Sequence, residues 1–268
     1  MGAEASLGWW DALQYKMLRR IAPVEPFLAR PSIYAGQSKL RMLLGDELVE
    51  TLIRCPAVID FGCGGGEHAI ELAGLGCPRV MGLDIQENLL EEARAEASRR
   101  GVSDRCQFST TPQEPSDAIV SLDAFEHFGY PDRILRIMYD YLRPGGFVAA
   151  SFGPTWYHPT GGHLFSVFPW AHLAFSETAL CRWRADIRDD GATRFADVAG
   201  GLNQITVDRF ERLVKETPFQ IESLECVPIR KLQFLHSPLT REWTTALVRT
   251  VLRKPADETH NDLRGAEC

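Results

Sequence analysis

The sequence predicts an α/β protein: a doubly wound, mostly parallel sheet with helices ahead of it and an insertion inside it. Three observations predict it. Short apolar strands alternate with amphipathic helices between residues 55 and 151, a run of glycines stands at the first strand-to-helix handover, and the rhythm breaks after Ser151. Strands separated by helices pair in parallel, with helices over both faces. A chain of 268 residues can bury a full core without disulfide or metal support.

The elements follow in order. Leu7, Trp10, Leu13, Met17 and Ile21 fall at helical spacing, and Pro23 ends that helix. After a connector punctuated by Pro23, Pro26 and Pro31, a second helix is expected from Gln37 to Arg54, through Leu40, Leu43, Leu44, Leu48 and Leu52. Residues 1–54 are thus expected to form an N-terminal helical lid. A strand over 57–61 gives way to Gly62-Cys63-Gly64-Gly65-Gly66 and a helix through Ala69, Ile70 and Ala73. The second strand is 79–84, and its helix carries Leu89, Leu90, Ala93 and Ala97, with Gly101 supplying the stop. Strands at 106–108 and 118–122 follow. Pro131 suits a first helical position, with Ile134, Leu135, Met138 and Leu142 on one face. Pro144-Gly145-Gly146 turns into a fifth strand, 147–151.

Residues 152–205 read as a cap insertion. From Pro144 to Ser176 there is no Asp, Glu, Lys or Arg, yet three of the seven histidines and two of the six tryptophans lie there. Prolines and glycines interrupt the stretch too often for a membrane helix. Helices are expected from Pro169 to about Trp183 and from Thr206 to Glu216, and a late strand over 221–229. Residues 206–253 complete the sheet domain, and 254–268 form a polar tail expected to be disordered.

A net charge of −7 argues against binding a nucleic-acid backbone, which needs a concentrated basic face. Neither a signal peptide nor a membrane span is legible. The seven cysteines, at 55, 63, 77, 106, 181, 226 and 268, have no metal-ligand spacing and read as free thiols in the cytoplasm. Arg182, Arg184 and Arg188 read as a solvated helix face.

The glycine run carries the chemistry. Glycine lets the backbone bend sharply and lets a ligand approach main-chain N–H groups at a helix N-terminus. Asp84, ending the next strand, is placed to accept two ribose hydroxyls. Strand, glycine loop, helix, strand and acid together point to a nucleoside-containing cofactor. The spacing is Gly-x-Gly-x-Gly with Asp60 two residues ahead. That acid would repel a pyrophosphate and suit an ammonium group, which makes an NAD-dependent oxidoreductase a poor alternative.

Four segments then carry a resemblance: Val58–Gly66, Gly82–Ile85, Asp117–His127 and Leu142–Gly146. In this order the chain resembles the class I S-adenosylmethionine-dependent methyltransferases. The resemblance implies a Rossmann-like sheet of seven strands, with S-adenosylmethionine as cofactor and S-adenosylhomocysteine as product. It implies that Asp60, Gly62, Cys63 and Gly64 line the methionine end, Asp84 holds the ribose and Ile85 packs on adenine. Thr111, with Pro112, is a candidate for the adenine edge, and Leu122 and Asp123 complete the cofactor set. Asp123-x-x-Glu126-His127 also resembles the Glu-x-x-Glu-His segment of ubiquinone-pathway O-methyltransferases, whose side chains can bind a divalent ion. No resident metal is expected, with Asp123, Glu126 and His127 as the alternative.

Methyl transfer needs alignment, exclusion of water and, for a hydroxyl acceptor, a base. His127, His158 and His163 are the candidate catalytic groups. Trp156, Tyr157, His163, Trp170 and His172, with Phe165 and Phe168, are the candidate acceptor walls. The expected partner is a small, apolar or aromatic acceptor methylated on oxygen, with no nucleic acid or membrane involved, by a monomer or homodimer. Ser121-Leu122-Asp123-Ala124 stands where enzymes that methylate nucleic-acid bases carry an Asn-Pro-Pro-Tyr type motif. A cofactor-binding regulatory or scaffold subunit of the same fold is the rival reading.

Overall fold

The computed structural model describes residues 8–22, 36–188, 191–198 and 201–256. Its helices and strands run α1 Trp9–Ile21, α2 Lys39–Leu44, α3 Asp46–Arg54, β1 Val58–Phe61, α4 Glu67–Gly74, β2 Val80–Leu83 and α5 Glu87–Arg99. There follow β3 Cys106–Ser109, β4 Ser116–Leu122, α6 Pro131–Tyr141, β5 Leu142–Phe152, α7 Ala171–Ala174 and α8 Glu177–Arg184. The last are α9 Val207–Lys215, β6 Gln220–Pro228, α10 Arg241–Thr244 and β7 Thr245–Arg253. The seven strands form one sheet in the order β3-β2-β1-β4-β5-β7-β6. Neighbours from β3 to β5 pair in parallel, and β7 runs antiparallel to both β5 and β6. The α/β sheet expected from the alternation is present.

Two apolar layers sandwich the sheet. On one face Leu40, Leu43, Val49, Leu52, Leu72, Leu90 and Ala93 pack from α2 to α5. On the other, Leu135, Met138, Phe210 and Val214 pack from α6 and α9 against Ile59, Ile119 and Val148. That second face has a bare wing. β3 leads to β4 through residues 110–115, which hold no helix, although β4 lies beyond both β2 and β1. The crossing spans three strand positions and also runs back along the parallel strands, with no helix on the way. It leaves Met81 half-buried and Gln107 exposed.

Several expectations are corrected. The 37–54 helix is two helices, broken at Gly45, whose φ of +84° no helix accommodates. The 169–183 helix is likewise broken: α7 stops at Phe175, and Ser176 caps α8 through a bond from the Ala179 N–H. β5 takes in Pro144-Gly145-Gly146 as an irregularity, since Ser116 pairs with Leu142 and Ala118 already with Phe147. The late strand has a partner, β7, that periodicity did not single out. Lys254 is anchored, its Nζ donating to the carbonyls of Tyr139 and Leu142; the rest of the expected tail, 257–268, and Cys268 lie outside the described residues.

The N-terminal layer also divides. α2 and α3 join the sheet core, whereas α1 joins the cap, where Leu18 and Ala22 meet Phe165, Leu180, Trp183 and Phe195. Its docking face is Asp11, Gln14 and Leu18: the Ser176 hydroxyl and N–H donate to Asp11 and Gln14. The expected apolar stripe points outward, with Trp10, Leu13, Met17 and Ile21 about half exposed. Arg184 is not a solvated residue: it is buried, with its guanidinium 5.8 Å from the Phe165 ring centroid. Among the described residues no helix is long and apolar enough to cross a membrane.

Candidate active site

The site forms where β1, β2 and β4 end at the same edge of the sheet. After β1 the chain bends through Gly62, Gly64 and Gly66, all at positive φ. Gly66 is confined by more than its φ: a Cβ there would lie 2.6 Å from the Phe108 ring, and one on Gly82 2.5 Å from the same ring. The two glycines let Phe108 lie across β2 and fix where α4 begins. The Gly64 N–H donates to Asp84 Oδ2 and the Gln86 N–H to Asp84 Oδ1, at 2.9 Å each. Both carboxylate oxygens are thereby held in place, with lone pairs to spare. Asp60 is buried under the bend and accepts the Ala69 N–H of α4. Burial pushes its carboxyl up to about 7; the Ala69 bond opposes this, the Asp84 charge adds to it and Lys39 opposes it.

A cavity of about 570 Å³ opens beside the bend, between the ends of β1 and β2 and helix α6. Gly62, Asp84, Ile85, Asp123 and His127 line it, together with Phe61, Phe128 and Tyr130 and with Ile134, Ile137 and Tyr141 of α6. Ile85 is 91% exposed on its rim. Thr110, rather than the expected Thr111, is on the wall. Cys63 and Leu122 are buried in the core beneath instead of facing the cavity.

Beyond β4 the expected trio Asp123, Glu126 and His127 does not converge. Asp123, at φ +48°, turns to Lys39 at the start of α2, whose Nζ lies 2.8 Å from its Oδ2. Glu126 is 2% exposed; its Oε1 accepts the Gly153 N–H and its Oε2 has no partner. Burial first, and then the nearby Asp123 charge, push its carboxyl up to about 8 against the backbone N–H groups that lower it. His127 Nδ1 lies 2.7 Å from the Gly201 carbonyl, so it carries the proton and leaves Nε2 as a lone pair. His163 comes in from the cap at φ +51°, with its ring 5.1 Å from that of His127 and a buried, unpartnered Nε2. Donor atoms of Glu126, His127 and His163 all lie within 4.8 Å of one another. A strap holds this arrangement: Asn203 Nδ2 donates to the Phe125 and Phe128 carbonyls, and its N–H to that of Glu126.

The other expected acceptor residues serve the cap itself. His172 is buried and uses both ring nitrogens, on Ser166 Oγ and the Trp156 carbonyl. Trp156 packs on His172 and Phe195, and Phe165 is in the cap core. His158 Nδ1 accepts the Thr160 N–H, and burial lowers the ring to about 4. Tyr157 stacks on Trp243, and the Trp170 indole donates to the Tyr157 carbonyl. Phe168 packs on Phe175. Lys39 is the residue the sequence reading missed: it lies outside every motif, and only the fold brings it to Asp123.

Comparison with known proteins bears on the part of the chain that carries this geometry. Residues 59–150 match the family model described as a methyltransferase domain. Among curated proteins, a ribosomal protein L11 methyltransferase of Shewanella halifaxensis is 35% identical over 95 residues, covering 35% of this chain and 32% of the relative. The chain thus matches about a third of the length of such relatives. Among solved structures, the cyclase SpnF superposes with a TM-score of 0.53 at 16% identity, covering 91% of this chain and 94% of that one. Magnesium protoporphyrin IX methyltransferase from Synechocystis with bound S-adenosylhomocysteine gives 0.50 at 15% identity, covering 92% and 96%. Those two likenesses establish the fold. The donor set fits the cofactor as well: exposed main chain at a glycine bend, a fixed carboxylate one strand away, a buried acid beneath and an apolar rim residue. Residues 59–150 thus match a methyltransferase domain on a fold shared with S-adenosylmethionine-dependent enzymes, and S-adenosylmethionine is the cofactor this site takes.

Proposed function

We propose that the protein methylates a small, apolar or aromatic acceptor, on oxygen. The observation that carries this reading is the cavity, which runs without a break from Gly62 and Asp84 to His127 and Tyr141. Its volume suits a small organic molecule, and its walls are largely apolar. When bound, the cofactor supplies a methyl group activated on a sulfonium. The protein's own groups do the rest. Asp84 holds the ribose diol, Ile85 covers the adenine with Thr110 at its edge, and ionised Asp60 faces the ammonium through the bend at Gly62 and Gly64. The aromatic and aliphatic side chains of Phe128, Tyr130 and Ile134 align the acceptor and keep water out, an effect worth on the order of 7–11 kcal/mol in favourable cases. At the acceptor end, the lone pairs clustered around His127 and His163 suit a hydroxyl that must give up its proton. The six described cysteines are free thiols, which supports a reducing compartment.

The test is a turnover assay that follows S-adenosylhomocysteine release over a panel of phenols and aliphatic alcohols, with ribosomal protein L11 as a parallel acceptor. Methylation of panel members is the expected result. Turnover with the ribosomal protein alone would overturn the small-molecule reading, and saturable cofactor binding without turnover would favour a regulatory subunit. Cyclase activity in a structural neighbour shows why turnover must be measured: the fold does not fix the chemistry.

A further inference from the structure

We infer that Glu126, His127 and His163 form a site for one divalent transition-metal ion at the seam between the sheet domain and the cap. Two imidazoles and one carboxylate are a donor set that binds such ions and leaves positions open. Four independent features converge on it. Donor atoms of all three lie within 4.8 Å of one another. Glu126 Oε2 and His163 Nε2 are buried without partners, so each is a desolvated lone pair with nothing to satisfy it. The Gly201 carbonyl accepts a hydrogen bond from His127 Nδ1–H and leaves Nε2 as the lone pair, the arrangement by which a metal-bound histidine is commonly held. His163 holds a left-handed backbone conformation, an outlier of the kind that persists where surrounding structure demands it.

Donors around such an ion are about 3–4 Å apart, given bonds of roughly 2.1 Å. The trio therefore needs to close by about 1 Å, within reach of side-chain rotation. Asp123 is not among the converging donors: its Oδ2 pairs with Lys39, and its buried, unpartnered Oδ1 lies outside the trio. This departs from the ubiquinone-pathway pattern, because the third ligand comes from the cap rather than from the segment after β4. His127 is both a ligand and part of the cavity wall. The open positions thus take an oxygen of the acceptor, and the ion holds that oxygen in its deprotonated form while its proton leaves to solvent. The acceptor class is narrowed to molecules with a chelating hydroxyl, such as catechols or hydroxy-ketones. This step rests on the methyltransferase reading, but metal binding is measured without turnover, so the two can fail separately.

The experiment is Co²⁺ titration of the chelator-treated full chain, followed by visible absorption and calorimetry. We expect one equivalent to bind with a nitrogen/oxygen-type spectrum that lacks thiolate charge-transfer bands, and Zn²⁺ to displace it. Glu126→Gln and His163→Gln should each weaken binding by about 10–100-fold, and Asp123→Asn by less than threefold. Circular dichroism and S-adenosylhomocysteine affinity report whether the variants fold. Absence of Co²⁺ binding by the wild type would overturn the site, as would a thiolate spectrum or undiminished binding by a folded His163→Gln.

Discussion

Asp60 on β1 and Asp84 just past the neighbouring strand β2 are two carboxylates in opposite environments. Asp84 is partly exposed and receives two main-chain N–H groups, so it stays available to hydroxyl donors. Charged hydrogen bonds are worth about 1.5–3 kcal/mol each. Asp84→Asn should therefore lower S-adenosylhomocysteine affinity about 10–100-fold by calorimetry, whereas His127→Ala should lower it less than threefold. Equal, small effects would move the ribose site elsewhere. Asp60 is buried, and its carboxyl is pushed up to about 7. An ammonium ligand needs the ionised form, so affinity for S-adenosylmethionine should climb as pH rises from about 6 to 7.5. Asp60→Asn should flatten that profile. The same shift has the opposite sign for stability. The folded chain holds this proton between about pH 4 and 7 while the unfolded chain has lost it, so this contribution declines as pH rises through that window. Thermal melts of wild type against Asp60→Asn isolate that slope.

Elements show where pattern in the sequence suffices and where it does not. The strand–loop–helix unit β1–α4 is legible from residues 57–74 because every determinant is local: an apolar run, a bend and a helix start. Two of its adjacent glycines nevertheless differ. A Cβ at Gly65 meets nothing within 4 Å, whereas one at Gly66 strikes Phe108 and Ala93. Gly66→Ala should cost about 2–4 kcal/mol in urea unfolding, through overpacking and a left-handed φ, and Gly65→Ala less than about 1 kcal/mol. Helical period was equally legible in α1, but not the face that docks. Its apolar stripe is exposed, and the helix is seated by Leu18 and by polar bonds from Asp11 and Gln14. Leu18→Ala should thus cost about 2–4 kcal/mol, and Leu13→Gln no more than about 0.5 kcal/mol. The breaks at Gly45 and Ser176 were hidden because apolar spacing continues across them. β7 was hidden because its register depends on β5 and β6, which are distant in sequence.

At the scale of the whole molecule, the cofactor half of the site and the acceptor half differ in legibility for one reason. Gly62, Gly64 and Asp84 follow directly on adjacent parallel strands, so local sequence suffices to place that half. The proposed acceptor half needs the cap to dock, since it joins residues 126 and 127 to residue 163, and it needs α2 to bring Lys39 to Asp123. Of the residues that the aromatic, uncharged composition of 152–176 singled out, His163 comes to lie beside His127, whereas Trp156, Phe165 and His172 pack within the cap. The strap at 201–205 couples the halves, and Asn203 is its key contact. Its side chain donates to the Phe125 and Phe128 carbonyls at 2.6 and 2.8 Å and accepts the Ile205 N–H at 2.9 Å. Asn203→Ala leaves the Phe125 carbonyl with the Phe128 N–H, at 3.4 Å. It removes the partner of the Phe128 carbonyl and of the Ile205 N–H, at about 1–3 kcal/mol for each that stays buried, unless the segment opens to water. Opening is the expected response, because His127, Phe128 and Asn203 are only half-buried and Gln204 is exposed, while the strands beneath are fully packed. Hydrogen exchange should then quicken at residues 124–128 and 203–205 and stay unchanged in β1, β4 and β5. S-adenosylhomocysteine affinity should hold within threefold, and turnover should fall at least tenfold as His127 loses its position. Uniform loss of protection through the sheet would show instead that Asn203 supports the fold as a whole and carries no special tie to the acceptor half.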